Sequence, residues 1–297
     1  LPTVLNLAGA ELISKAETYI VALKLLLLMV VIVFGVGSVE TSRLALSTWE
    51  APLQIVSAGM MIFVAYEGFE LIANTAEEIV DYERTLPRAY YLSVLFVIVI
   101  YVLIAVVVVG SLTPQKIASA EDFALAQAAK PSLGEAGFTL VAVAAVLATL
   151  SAINSTLYGA GRLSYTIATE GELPERLTEQ VWGQPVGLFL TAASALVLAN
   201  TVNLSSISTM GSAAFLIVFA VINLANLVRR QEAKSSAILA FAGFACCLAA
   251  LATLVWYTLQ SDPWEVLFLV AMVGLAMVIE GIYRWKADGA VPRVRNQ

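Results

Sequence analysis

The feature that most constrains this chain is a set of long stretches without one charged residue. Residues 89–115, 136–161, 181–228 and 235–261 contain no Asp, Glu, Lys or Arg. About 20 mostly apolar residues in a helix cross a hydrocarbon core roughly 30 Å thick, so each stretch is long enough to span a bilayer. At about 1.5 Å per residue, 181–228 would make a rod about twice that thickness. It must therefore be two helices, divided at Asn200-Thr201-Val202-Asn203. Three more apolar stretches carry a charge inside or at an edge: one around Lys24, one around Glu67 and Glu70, and one around Glu280.

The expectation is an all-α transmembrane fold, one membrane domain over residues 1–297 with eight spans at 18–38, 52–76, 89–110, 137–165, 185–202, 206–228, 236–259 and 264–285. A polar, basic tail, 287–297, follows. Composition agrees: 60% of residues are hydrophobic and 13% charged, against about 25% charged in soluble domains. The lipid bilayer is the main partner.

Eight spans place both ends on one side, and basic residues choose which. Of the 16 lysines and arginines, Lys24 lies within a span and Arg43, Lys116 and Lys130 fall on one face. The other twelve lie on the opposite face, which by the positive-inside rule is cytoplasmic. Both termini, the loop around residues 77–88 and the segment 170–186 are thus expected inside, in a multi-pass protein of the cell (plasma) membrane. The net charge of −6 comes with no basic run suited to nucleic acid. Cys246 and Cys247 are adjacent in an apolar span and histidine is absent, so no metal or other cofactor is expected. The first residue is Leu rather than Met, and further sequence is expected before it.

Between spans, 121–130 reads as a short surface helix ended by Pro131, and Trp49 suits a membrane interface. Gly171, Pro174, Gly183 and Pro185 break the helical pattern before the chain re-enters the membrane.

Ionisable groups inside a membrane cost about 2.5–3.5 kcal/mol each on insertion scales, so Lys24, Glu67 and Glu70 are candidates for function. The second span runs Phe63-Val64-Ala65-Tyr66-Glu67-Gly68-Phe69-Glu70. A glycine there lets the helix unwind near 65–68, which is tolerable where the freed backbone groups face a cavity or a ligand. The alternative is an unbroken helix with paired or snorkelling glutamates. Lys24, about 9–10 Å from its helix end at about 1.5 Å per residue, also has two readings. Its ammonium snorkels to the interface, or desolvation makes it a reversible proton carrier. Ser151, Asn154 and Ser155 share one helical face; the serine hydroxyls read as packing close to a neighbour or bonding their own backbone. Gly211, Ser212 and the small residues of 240–250 read as close helix packing. Glu77, Glu78, Arg84 and Arg88 read as weak surface ion pairs.

The block 63–70, with Ala76-Glu77-Glu78-Ile79 and Glu83 to Ala89 after it, resembles the sixth helix and following loop of the amino acid-polyamine-organocation (APC) superfamily of permeases. A second block, from Leu147 through Ser151, Asn154 and Ser155 to Pro174, is similar to that family's eighth helix and its inner end. The resemblance implies that the spans are helices five to twelve, the C-terminal part of a transporter of two inverted five-helix repeats. It implies that the backbone of Val64, Ala65, Tyr66, Glu67 and Gly68 receives the substrate ammonium, and that Lys24, with Ser151 or Ser155, serves coupling. Many relatives have an aromatic gate where this chain has Val64; either Phe63 or Tyr66 replaces it, or the site admits a bulkier substrate.

The function expected is secondary active transport of amino acids or related amines by alternating access, with proton coupling or exchange. The alternatives are an inactive fragment lacking the first helices, or a membrane-embedded enzyme using Glu67 and Glu70 as acid and base. Against the enzyme stand the missing histidines, metal ligands and nucleophile motif.

Overall fold

Apolar stretches without water must satisfy their backbone internally, and helices do so. The computed structural model describes residues 10–70, 72, 79–120, 123–233 and 235–287, with side chains described between 18 and 281. The fold is all-α. Helices run α1 (Ala10–Gly35), α2 (Pro52–Met61), α3 (Tyr82–Ser111), α4 (Pro114–Ala120), α5 (Ala124–Thr169), α6 (Val186–Thr201), α7 (Leu204–Val228), α8 (Ala237–Ser261) and α9 (Pro263–Ala287). Among the described residues, six helical stretches are long and apolar enough to cross a membrane. The other two expected spans differ: α6 is a shorter apolar helix, and the span expected over 52–76 is regular only to Met61. Glu77, Glu78 and 288–297 lie outside the described residues.

The chain divides into two compact units. The first holds α1, α3, α4, α5 and the start of α6. There α1 lies along α5, with Val31, Ala126, Ala129 and Val141 forming one buried cluster. Small residues bring α1 close to α3. A Cβ added at Gly35 would lie 2.5 Å from Val107 Cγ1, and one at Gly110 would lie 2.6 Å from Val39 Cγ1. Beyond α1, Ser38 and Ser111 share a hydroxyl hydrogen bond at 2.9 Å, and Glu40 donates its amide to the Gly110 carbonyl at 3.0 Å.

The break expected at Pro131 falls three residues later. Pro131 remains inside α5, and Gly134, at φ 63 and ψ −157, interrupts it in a conformation open to glycine. The preceding turns are packing rather than a loose cover, since Ala128 and Ala129 are fully buried. After α5 comes a two-stranded hairpin, β1 (Gln180–Val181) against β2 (Gln184–Pro185), turning at Trp182 and Gly183, both of positive φ.

The second unit holds residues 50–67, the end of α6, and α7, α8 and α9. Its core is Ala213, Leu216, Leu254 and Leu269, with Met60, Met61 and Phe63 packed against it. Asn203 caps α7 by accepting the Ser206 amide at 2.7 Å, so the turn between α6 and α7 lies at Val202 and Asn203.

Candidate functional site

Proline at its first position starts α2, whose φ is fixed by the ring at no hydrogen-bond cost. It ends at Met61 although no proline follows. Ile62 leaves the helix at φ −92 and ψ 9, Phe63–Tyr66 is a 3-10 turn, Glu67 is extended (φ −69, ψ 160), and Gly68 has φ 112. The interruption therefore covers 62–68, beginning nearly a turn before the expected 65–68.

Hydroxyls of α7 bond its backbone. The Ser212 hydroxyl donates to the Met61 carbonyl at 3.0 Å and accepts the Val64 amide at 2.9 Å. Ser208, one turn earlier on α7, donates to the same Met61 carbonyl at 2.8 Å. A side chain entering the backbone ladder is one of the few identified causes of a sharp helix break. Gly211 makes room, since a Cβ there would lie 3.1 Å from Val64 Cγ2. Two further bonds are of 3-10 spacing, Ala65 N–H to Ile62 C=O at 2.9 Å and Glu67 N–H to Val64 C=O at 3.1 Å. Phe63 packs edge-on against Phe219 with ring centroids 6.3 Å apart.

Within the second unit the structure thus brings Val64, Ala65, Tyr66 and Glu67 together on one irregular stretch. Ala65 is exposed, its neighbours are half-buried, and both carboxylate oxygens of Glu67 are buried. Gly68 opens the first unit, where its N–H donates to Glu70 Oε2 at 2.7 Å. Glu70 therefore ties down backbone. Sequence reasoning read Ser212 only as packing and gave Ser208 no role. The signal was there, in the run Ser205-Ser206-Ile207-Ser208-Thr209, because so many hydroxyls in one apolar span need partners.

Lys24, in the first unit, borders a cavity of about 180 Å³ whose other walls are apolar, from Leu27, Leu28 and Val31 on α1 to Ala144, Ala145 and Ala148 on α5. Ser151 and Asn154 are buried further along α5, and Ser155 is half-buried. None of these three lines the Lys24 cavity. On α5 the residues that share this cavity with Lys24 are alanines.

A family model described as amino acid permease matches residues 1–278. The chain belongs to the amino acid permease family. That is a family of membrane transport proteins, not of enzymes. Among similar proteins, an uncharacterized protein of Methanocaldococcus jannaschii is 30% identical over 95% of this permease chain and 65% of its own length. The inner membrane transport protein YbaT of Escherichia coli is 24% identical over 93% of the chain and 65% of its own. The methylthioribose transporter of Bacillus subtilis is 21% identical over 75% and 49%. The permease chain thus spans just under two thirds of the length of the first two relatives.

Proposed function

We propose that this permease carries out secondary active transport of amino acids or related amines across the plasma membrane by alternating access, with protons as the coupling ion. The observation that carries the reading is the helix break at 62–68, held open in an apolar unit by serine hydroxyls. Irregular backbone at membrane depth is costly unless it faces a cavity or a ligand. Broken helices with carbonyl-rich ends are how many transporters receive an ammonium group. Here the carbonyls of Val64 to Gly68 would face the ammonium. The buried carboxyl oxygens of Glu67 lie on the same stretch.

Coupling is assigned to Lys24. Its ammonium borders an apolar cavity, so its charged and neutral forms would favour different packings of α1 on α5. Both termini are assigned to the cytoplasm on the distribution of basic residues.

The test is uptake of labelled substrate into vesicles containing the intact permease under an imposed pH gradient. Saturable, gradient-driven accumulation of an amino acid or amine is expected. Accumulation of methylthioribose alone, the compound for which one relative is named, would replace the substrate class. Absence of any uptake would overturn the transport reading.

A further inference from the structure

A break in a membrane helix has to be stabilised, and Ser212 does so with one side chain. In a continuous α-helix the Val64 amide would bond the Met60 carbonyl, and the Met61 carbonyl would accept the Ala65 amide. Both partners have been exchanged. The Ala65 amide goes to Ile62 at 2.9 Å, the Val64 amide goes to Ser212 Oγ at 2.9 Å, and Ser212 donates its hydroxyl hydrogen to Met61 at 3.0 Å. Ser212 is fully buried, so no water competes for either bond. In a continuous helix the Val64 amide would be committed to Met60 and lost to Ser212, whereas the Met61 carbonyl, with two lone pairs, could still accept a hydroxyl. The bond from the Val64 amide is therefore the one that favours only the broken form.

Ser208 is not equivalent. It donates to Met61 alone, a carbonyl that Ser212 already serves, whereas the Val64 amide has Ser212 as its acceptor. The two serines are four residues apart on one face of α7, and Gly211 beside Ser212 lets Val64 approach.

We propose that Ser212 is the positioning residue of the substrate segment, fixing the 62–68 break so that the Val64 to Glu67 backbone is presented in one geometry, with Ser208 an auxiliary. This rests on the reading that the segment binds substrate. It assigns the break to α7, so that a movement of α7 changes the segment's shape and with it the affinity for substrate. A preorganised segment loses affinity when its support is removed, because the ligand must then order it.

The experiment compares Ser212→Ala and Ser208→Ala in the intact permease. It follows hydrogen–deuterium exchange of peptides covering 58–68 and of a control peptide in α8, together with affinity for the amino acid found by the uptake screen. One lost hydrogen bond corresponds to about a three- to tenfold change in an equilibrium. Ser212→Ala is therefore expected to raise exchange at 62–68 and weaken affinity about three- to tenfold, with the α8 control unchanged. Ser208→Ala is expected to do less on both counts. Unchanged exchange at 62–68 in Ser212→Ala, or an equal effect of Ser208→Ala, overturns the proposal. Raised exchange with unaltered affinity overturns the binding role of the segment and leaves Ser212 as the support of the break. A rise in the α8 control as well overturns it in favour of a general packing defect.

Discussion

Gly68, at φ 112, donates its amide to Glu70 Oε2 at 2.7 Å. A side chain at that φ is strained by about 1–3 kcal/mol whatever space surrounds it. Space is not the obstacle, since a Cβ there would meet nothing within 4 Å. Gly68→Ala is therefore expected to express normally and to lose most transport, because the turn after Glu67 is distorted rather than overpacked. Normal uptake by purified Gly68→Ala would show that this φ is dispensable.

Substitution of the partner separates charge from geometry. Glu70→Gln keeps an oxygen that accepts the Gly68 amide, while Glu70→Ala leaves that amide without its acceptor. Hydrogen bonds to ionised acceptors are roughly twice as strong as neutral ones. Glu70→Gln should retain most uptake and Glu70→Ala should lose more. If the glutamine variant were as defective as the alanine one, the Glu70 charge would have a role beyond holding Gly68.

Long apolar helices were legible because length and hydropathy are local properties of the sequence, and six helical stretches among the described residues are long and apolar enough to cross a membrane. Positions of the breaks were less so. Pro131 looked like a terminator, but one missing amide is tolerated in a packed helix, and the positive φ went to Gly134. The break in the second span was anticipated from Gly68, yet it starts at Ile62, because its support is Ser212, 148 positions away from Val64. A pairing at that separation leaves no local periodicity to read. Lys24 was identified from its cost in lipid, whereas its neighbours on α5 depended on the rotation of that helix, which places Ala148 rather than Ser151 at the cavity.

The close crossing of α1 and α3 gives a stability test. A Cβ at Gly35 would lie 2.5 Å from Val107 Cγ1 and needs a shift of Val107 or of the helices. Overpacking of this kind costs about 1–3 kcal/mol. Gly35→Ala should lower the melting temperature of the purified permease, and adding Val107→Ala should recover part of the loss. Two effects that simply add in a thermal-shift assay would mean that Gly35 and Val107 are not in contact.

Orientation is tested with single cysteines at Tyr82 and Lys116, in a background without Cys246 and Cys247. Tyr82 begins α3, Lys116 lies on α4, and both are exposed. With cytoplasmic termini, an impermeant thiol reagent added outside cells should label the cysteine at 116 and not the one at 82. The reverse pattern would invert the topology.

The last expectation concerns Lys24, which has no ion pair among the described residues and faces aliphatic walls across a cavity of about 180 Å³. An ammonium in such surroundings either reaches back to the interface or alternates between charged and neutral forms. Arginine distinguishes the two, since a guanidinium snorkels as well as an ammonium but does not release its proton. If Lys24 carries the coupling proton, Lys24→Ala and Lys24→Arg should both abolish accumulation driven by a pH gradient. Substrate binding should be lost less than accumulation, because the Val64 to Glu67 stretch belongs to the other unit and is left unchanged. If Lys24 is an anchor, Lys24→Arg should transport normally and Lys24→Ala should only reduce expression or stability. Gradient-driven accumulation by Lys24→Arg at the rate of the unaltered protein would therefore remove Lys24 from the coupling mechanism.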